Sequence, residues 1–301
     1  MYRKMKLFLG PVVVISTILL FGWYLSVHPA ILDQLKQTKL ITIVVLILLY
    51  FCVQIALAFV LSASLIIYKS RMNLEENFLL NAYSSLVNFF GPGQSGPGFR
   101  AVYLKVKHAI SIKQYAFVTL IYYAFYALFS GLLLLALSRP WWQTLAGTIA
   151  ITAVCFVVIR YFMTKNATQM KQNVSRKTMI KACAYIGLAT LAQTIIMSGI
   201  YYVELHSLDS SITAQQAIAY TGAANFAIFV ALTPGAIGIR EAFLFSTQSI
   251  HNIPQDQIVA ANVLDRAVYL VFLGLLFVIV LSLHANKKLQ VKKIQTLKDT
   301  I

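Results

Sequence analysis

Apolar residues in this chain do not alternate with polar ones at a helical or strand period. They gather into long unbroken runs separated by short basic stretches. Six runs reach the roughly 20 residues that a bilayer-spanning helix needs. They are 7–27, 40–67, 115–137, 141–160, 181–203 and 257–283. Two more are interrupted. Residues 78–90 cover about 20 Å as a helix before a Gly-Pro-Gly cluster begins. Residues 217–233 stop at Pro234, and a second apolar stretch follows from Ala242 to Phe245. Proline and glycine release backbone groups that lipid cannot satisfy, so such a break must be buried in protein or line a wet cavity. Each interruption therefore predicts a re-entrant helical hairpin. The expected fold is all-α: a polytopic integral membrane protein with six full spans and two re-entrant hairpins.

The order of these elements repeats. Residues 1–137 give span, span, hairpin, span, and residues 141–283 give the same series, followed by a basic tail at 284–301. Each half has an odd number of crossings, so the second half is inverted relative to the first, an architecture common in secondary transporters. Weak residue echoes run in the same order: Gln54 with Gln193, Ser111-Ile-Lys-Gln114 with Asn252-Ile-Pro-Gln255, and Gly131-Leu-Leu with Gly274-Leu-Leu. Charge sets the orientation. With both termini in the cytoplasm and both hairpins returning to the side they left, 20 of the 25 lysines and arginines are cytoplasmic. Only Lys36, Lys39 and Arg139 lie outside, and Arg240 and Arg266 fall within membrane segments. That is the positive-inside bias of a multi-pass plasma (inner) membrane protein. The 161–181 loop is then cytoplasmic and 204–216 external.

Composition narrows the class further. Hydrophobic residues make up 59% of the chain and charged residues 11%, with mean hydropathy +0.75, which is integral-membrane composition. A net charge of +16 would suit nucleic acid in a soluble protein; here the loops absorb it, and no nucleic-acid partner is expected. The first run continues from Leu7 to Val27 without a small-x-small cleavage site, so it reads as a retained span. Cys52, Cys155 and Cys183 lie in apolar runs and resemble small core residues. No histidine pattern suits a metal, and no cofactor is expected. Gly93-Gln-Ser95-Gly96 has the GxSG form of rhomboid intramembrane proteases, but all five histidines fall at span ends or in loops, away from a serine at membrane depth. A P-loop pattern is also missing. The chain does not read as an enzyme.

Interrupted segments at matching places of two halves point to a transporter's binding site. Each break ends one half-helix and starts another, and a helix start favours anions. Arg100 and Arg240 stand where they add full charges to those starts, and a guanidinium fork suits phosphate or carboxylate. Snorkelling at a membrane edge is the alternative for both. Asp265 and Arg266 lie about two turns into the last span. Adjacent residues on a helix face different ways, so each needs a partner elsewhere: Arg240 for Asp265 and Glu241 for Arg266, as a structural ion-pair network or a binding site. The five charges Arg100, Arg240, Glu241, Asp265 and Arg266 sum to +1, which suits an anionic guest. Asn88, Asn225, Gln54 and Gln193 are polar at membrane depth and suit freed backbone groups. Tyr122, Tyr123 and Tyr126 suit packing or an interfacial belt.

On these residues the chain resembles the lysylphosphatidylglycerol synthase transmembrane family of flippase-like membrane proteins. Asn88, Pro92, Gly96 and Arg100 resemble its N-x3-P-x3-G-x3-R pattern. Pro234, Gly235, Gly238, Arg240, Glu241 and Ala242 resemble its P-G-x-x-G-x-R-E-A pattern, and Arg266 matches an arginine common in the following span. Pro97 departs from the family, which often has Glu at that place. The resemblance covers essentially the whole chain and implies a lipid-handling membrane domain. In multidomain aminoacyl-lipid synthases that domain is thought to move modified phospholipid between leaflets, while a separate soluble domain makes it. About eighteen residues follow the last span, so that soluble domain is expected to be absent and synthase activity does not transfer.

The expected function is translocation of a lipid with an anionic headgroup, an anionic phospholipid or a polyprenyl phosphate, between leaflets. Substrate-binding residues would be Arg100, Arg240, Glu241, Asp265 and Arg266. The hairpin turns would comprise Asn88, Pro92, Gly96, Asn225, Pro234, Gly235 and Gly238. Two rivals stay open: a secondary transporter or channel for a small anion, and a non-transporting partner of a separate lipid-modifying enzyme. A lateral opening that admits lipid tails would favour the first reading, and a closed, water-lined pore the small-anion rival.

Overall fold

The structure, a computed structural model, describes residues 38–90, 95–135, 175–230 and 239–298, with scattered positions between 19 and 37 and between 142 and 157. Every regular element among the described residues is an α-helix. In chain order they are α1 (Leu40–Ile66), α2 (Leu74–Phe90), α3 (Ser95–His108), α4 (Ile112–Leu135), α5 (Arg176–Leu208), α6 (Ala214–Val230), α7 (Ile239–Ser246), α8 (Gln248–His251) and α9 (Gln255–Lys298). Among the described residues, four stretches are long and apolar enough to cross a membrane: Leu40–Ile66, Ile112–Leu135, Lys177–Leu208 and Gln255–Leu283. They coincide with four of the six runs. The runs 7–27 and 141–160 lie largely outside the described residues.

The surface of these helices explains their composition. α1 spans about 40 Å at 1.5 Å per residue and leaves Leu40, Ile41, Val44, Leu48, Ile55 and Phe59 exposed. α5 does the same with Ile180, Leu188, Leu191 and Ile195. A water-soluble domain rarely exposes so continuous an apolar face; against acyl chains the same face carries no penalty. Cys52 belongs to this outer surface and not to the core that its apolar run suggested. On a helix that is apolar all round, the sequence does not mark which side is buried.

Helix ends follow local rules. The Asn73 side chain accepts a hydrogen bond from Glu76 N–H at 2.7 Å at the start of α2, whose first turn carries Glu75 and Glu76. Ser111 and Gln114 exchange side-chain and backbone hydrogen bonds at the start of α4, and Thr213 and Gln216 do so at the start of α6. Both are capping boxes. Ser175 caps α5 through Thr178 N–H.

Three apolar cores occur among the described residues. One joins α1, α2, the later part of α5 and α9 through Tyr50, Leu86, Phe89, Ile200, Val268 and Phe272. A second gathers the end of α1, the start of α2, α3 and the starts of α4 and α5 through Leu65, Leu80, Leu104, Phe117 and Ile186. The third sits at the opposite ends of α4 and α5, where Leu134, Tyr201 and Leu205 meet Ala217, Tyr220, Leu244 and Ile253. So the open ends of the α2–α3 pair and of the α6–α7 pair pack against opposite ends of α4 and α5. α4 also packs along α6, and α9 along α2. The α4–α6 contact is close because Gly222 lacks a side chain: a Cβ there would lie 2.4 Å from Leu134 N and 2.6 Å from Ser130 O.

Candidate functional site

The first interrupted segment is a helix pair whose turn is tied by its own motif. The Asn88 side chain accepts a hydrogen bond from Gly96 N–H at 3.3 Å, and Ser95 donates to the Val87 carbonyl at 2.7 Å. Together they satisfy groups freed where α2 ends and α3 begins. Gly96 is required by packing: a Cβ would lie 2.6 Å from Ser84 O and 2.9 Å from Asn88 Cβ. Pro92 lies outside the described residues, as do Pro234, Gly235 and Gly238 of the second break. Asn225 is fully buried on α6, and its side-chain N and O have no hydrogen-bond partner among the described residues.

Arg100 occupies a centre of its own. Its guanidinium donates to Asn81 Oδ1 at 3.3 Å, and Asn81 in turn bonds Asn77 on the preceding turn of α2. Tyr122 and Tyr123 are its electrostatic neighbours on α4. Tyr122 donates its hydroxyl to Gln193 Oε1 at 3.1 Å, so Gln193 satisfies a tyrosine rather than backbone. Gln54 likewise accepts from Ser85.

The other four expected charges form two cross-helix pairs between α7 and α9. Arg240 donates from Nη1 to Asp265, and Arg266 donates from Nη2 to Glu241. Residues 240 and 241 are adjacent on one helix, and 265 and 266 on the other, so the two pairs face different ways and both can form. The Arg240–Asp265 pair is the deeper one. Arg240 stacks over the Tyr201 ring with its guanidinium carbon 5.1 Å from the centroid. The Tyr50 hydroxyl donates to the other Asp265 oxygen. Tyr50 itself is held among Tyr269 and Phe272, with ring centroids 5.0 and 5.5 Å away.

Four members of this centre were not singled out in the sequence: Glu204, Tyr50, Tyr201 and Tyr220. Glu204 is fully buried one turn beyond Tyr201, beside Asp265 and Arg240, and Tyr220 has the same neighbours. The apolar run suggested that the helix ends at 203, which left Glu204 in a loop; α5 continues to Leu208. An acid three residues after a tyrosine, on the same helical face, was the available signal. Two guanidiniums thus meet three carboxyls here, whereas Arg100, counted with them by charge, stands apart. Arg240 keeps two unused donors: Nε and Nη2 are buried with no hydrogen-bond partner among the described residues.

A groove with a volume of about 710 Å³ runs between α1 and α5, lined by Cys52, Ile55, Phe59, Tyr185, Leu188 and Ile196 among others. Its ends on the two helices, Cys52 and Ile196, lie about 3 and 8 Å along the helix axes from Tyr50 and Tyr201. The described residues therefore provide a buried cationic fork among tyrosines and, at a neighbouring height on α1 and α5, an apolar groove. No group of three or more potential metal ligands occurs among the described residues.

A family model described as Lysylphosphatidylglycerol synthase TM region matches residues 7–276. No curated protein matches the chain significantly.

Proposed function

The chain belongs to the lysylphosphatidylglycerol synthase transmembrane-region family, and from that premise we propose that it moves a lipid with an anionic phosphate headgroup between membrane leaflets. One observation carries the reading. Among the described residues, buried Arg240 is paired through one nitrogen, and its Nε and Nη2 have no acceptor. Those two donors form one edge of the guanidinium fork, the edge that binds two phosphate oxygens at once. Unused donors in a buried site are costly unless a guest completes them.

Three further features support the proposal. The α1–α5 groove is apolar and lies among exposed residues such as Cys52, Ile55, Phe59 and Leu188, which suits acyl tails. The tyrosines Tyr122 and Tyr126 of α4 lie between the Arg100 and Arg240 neighbourhoods: Tyr122 is near Arg100, and Tyr126 is near Tyr122, Tyr201 and Arg240. That row gives the path between the two arginines a polar, aromatic lining. Finally, the contact pattern suits an inverted repeat of re-entrant hairpins. α2 and α6 have the same length of 17 residues. The mouths of the two helix pairs face opposite ends of the bundle, and α9 packs on α2 as α4 packs on α6. The link into each final helix is also alike: His108-Ala109-Ile110 and His251-Asn252-Ile253 both place the middle residue at φ 54 and bury the isoleucine. In this arrangement the basic α3 end faces the cytoplasm and the Asp209 loop the exterior, in the plasma membrane, with Arg100 and Arg240 serving opposite leaflets.

Reconstitution with a fluorescent phosphatidylglycerol, followed by chemical quenching of the outer leaflet, tests the reading. Wild-type protein should speed equilibration of the probe, and Arg240→Lys should recover only part of it because an ammonium lacks the fork. Equal rates for wild type, Arg240→Lys and protein-free vesicles would remove the proposal.

A further inference from the structure

The site proposed for the headgroup holds one more acid than its ion pairs require. Glu204 is 0% exposed, and neither carboxyl oxygen has a hydrogen-bond partner among the described residues. The groups that face it are Tyr50 of α1, Tyr220 of α6, Arg240 of α7 and Asp265 of α9, with Tyr201 one turn earlier on α5 itself. Tyr126 of α4 borders the same Tyr201–Arg240 stack. Of these, the Tyr50 hydroxyl and Arg240 Nη1 are both committed to Asp265. The Arg266–Glu241 pair is balanced by itself. An ionised Glu204 would thus be a second carboxylate in one buried site, next to a first, with no hydrogen bond from any described residue. A single proton resolves this. Carried by Glu204, it makes that carboxyl an O–H donor toward Asp265, the usual solution when two carboxyls cannot both ionise.

We propose that Glu204 and Asp265 form a proton-carrying pair that couples headgroup binding at Arg240 to proton uptake, so that an anionic lipid and a proton cross together. The inference rests on the headgroup reading above. Charge balances at each stage. The empty site holds Arg240 positive, Asp265 negative and Glu204 neutral, which sums to zero. A phosphodiester monoanion on Nε and Nη2 adds one negative charge. A proton from the aqueous side then binds the remaining carboxylate, weakens its hold on Arg240, and restores neutrality. Release of the lipid returns the proton to water on the other side. No bond is made or broken in the lipid. Because the two carboxyls share the role, Glu204 can replace Asp265 as counter-ion and proton acceptor when Asp265 is neutralised.

The test counts protons taken up per lipid bound, using purified protein in weakly buffered detergent with a pH indicator. The probe is dioctanoylphosphatidylglycerol, whose binding is measured in the same titration. Wild type should take up about one proton per lipid, and so should Asp265→Asn, through Glu204. The double variant Glu204→Gln with Asp265→Asn should lose the uptake. Lipid bound with no proton uptake by wild type overturns the coupling and leaves the headgroup reading standing. Loss of uptake in Asp265→Asn alone overturns the role of Glu204, and persistence in the double variant places the proton elsewhere. If wild type binds no lipid, the headgroup reading falls, and infrared spectroscopy still decides the proton. A protonated-carboxyl band at neutral pH that disappears in Glu204→Gln supports the pair; its absence from wild type overturns it.

Discussion

Replacing Arg240 by glutamine should destabilise the protein through what it leaves behind. Asp265 is 7% exposed, and without Arg240 it keeps only neutral donors, the Tyr50 hydroxyl and the Glu204 carboxyl that carries the proposed proton. Breaking a buried ion pair from one side costs about 3–5 kcal/mol, because the surviving charge has no compensation. A ceiling exists, since the carboxylate can bind a proton instead. For an aspartate of ordinary acidity, about 3.9, carrying that proton at pH 7 costs about 4 kcal/mol relative to the unfolded chain, at 1.36 kcal/mol per pH unit. The loss should therefore lie near 3–4 kcal/mol, a fall in thermal midpoint on the order of 10 °C. It should shrink as pH drops, to about 1.5 kcal/mol at pH 5, because the proton then costs less. Asp265→Asn should be milder, about 2 kcal/mol or less, since Glu204 is in place to serve as counter-ion to Arg240. Combining the two substitutions removes both charges and should return stability to within about 1 kcal/mol of wild type. Thermal unfolding in detergent, followed by tryptophan fluorescence at pH 7 and pH 5, measures all three variants. Losses that simply add in the double variant, or a loss for Arg240→Gln that does not shrink at pH 5, would refute the reasoning.

Other expectations follow from individual contacts. Gly222→Ala forces a Cβ within 2.4 Å of the α4 backbone and should cost about 1–3 kcal/mol, whereas Gly274→Ala, which meets nothing within 4 Å, should be nearly neutral in the same unfolding assay. Burial pushes the Glu76 carboxyl up, but hydrogen bonds from His108, Lys107 and Tyr103 outweigh it and hold it down to about 2. That contribution is fully present above the ordinary carboxylate value and is lost as pH falls through 4.5 toward 2. An acid titration of stability should accordingly be shallower over that window in Glu76→Gln, and identical slopes would remove the assignment. A cysteine at Ser210 should react with an impermeant maleimide in intact cells, and one at Lys105 only after permeabilisation. The reverse pattern would invert the orientation, and equal labelling at both sites would deny that they lie on opposite sides.

The sequence and the structure agree most where lipid constrains the chain most. An unbroken run of about 20 apolar residues leaves little choice but a helix, and the four described spans fall where the runs do. Their ends drift: α5 runs five residues beyond the predicted 203, because polar residues at an interface can continue a helix that hydropathy has already ended. That drift hid Glu204. The two motif ends were legible in chemical detail. Asn88 and Gly96 serve one turn, and Arg240 with Asp265 and Glu241 with Arg266 are pairs that adjacent charges on two helices can form. What charge counting could not supply was grouping. It placed Arg100 with Arg240, although Arg100 bonds to Asn81 on the other helix pair. The tyrosines were legible as residues and not as roles, since Tyr50 and Tyr201 carry the same apolar signal whether they form a belt or gather round an ion pair. The turns at Ala109 and Asn252, both at φ 54, were not legible, because neither residue type demands a positive φ.

The central claim is that the unused edge of Arg240 holds a lipid phosphate, and native mass spectrometry of protein released from mild detergent tests it most directly. The comparison is wild type against the charge-balanced double variant Arg240→Gln with Asp265→Asn, which lacks the fork but leaves no unpaired charge. Wild type should retain an anionic phospholipid or polyprenyl phosphate in preference to zwitterionic lipid, and the double variant should lose that species while remaining folded. Retention of the same anionic lipid at equal occupancy by both proteins would contradict the account.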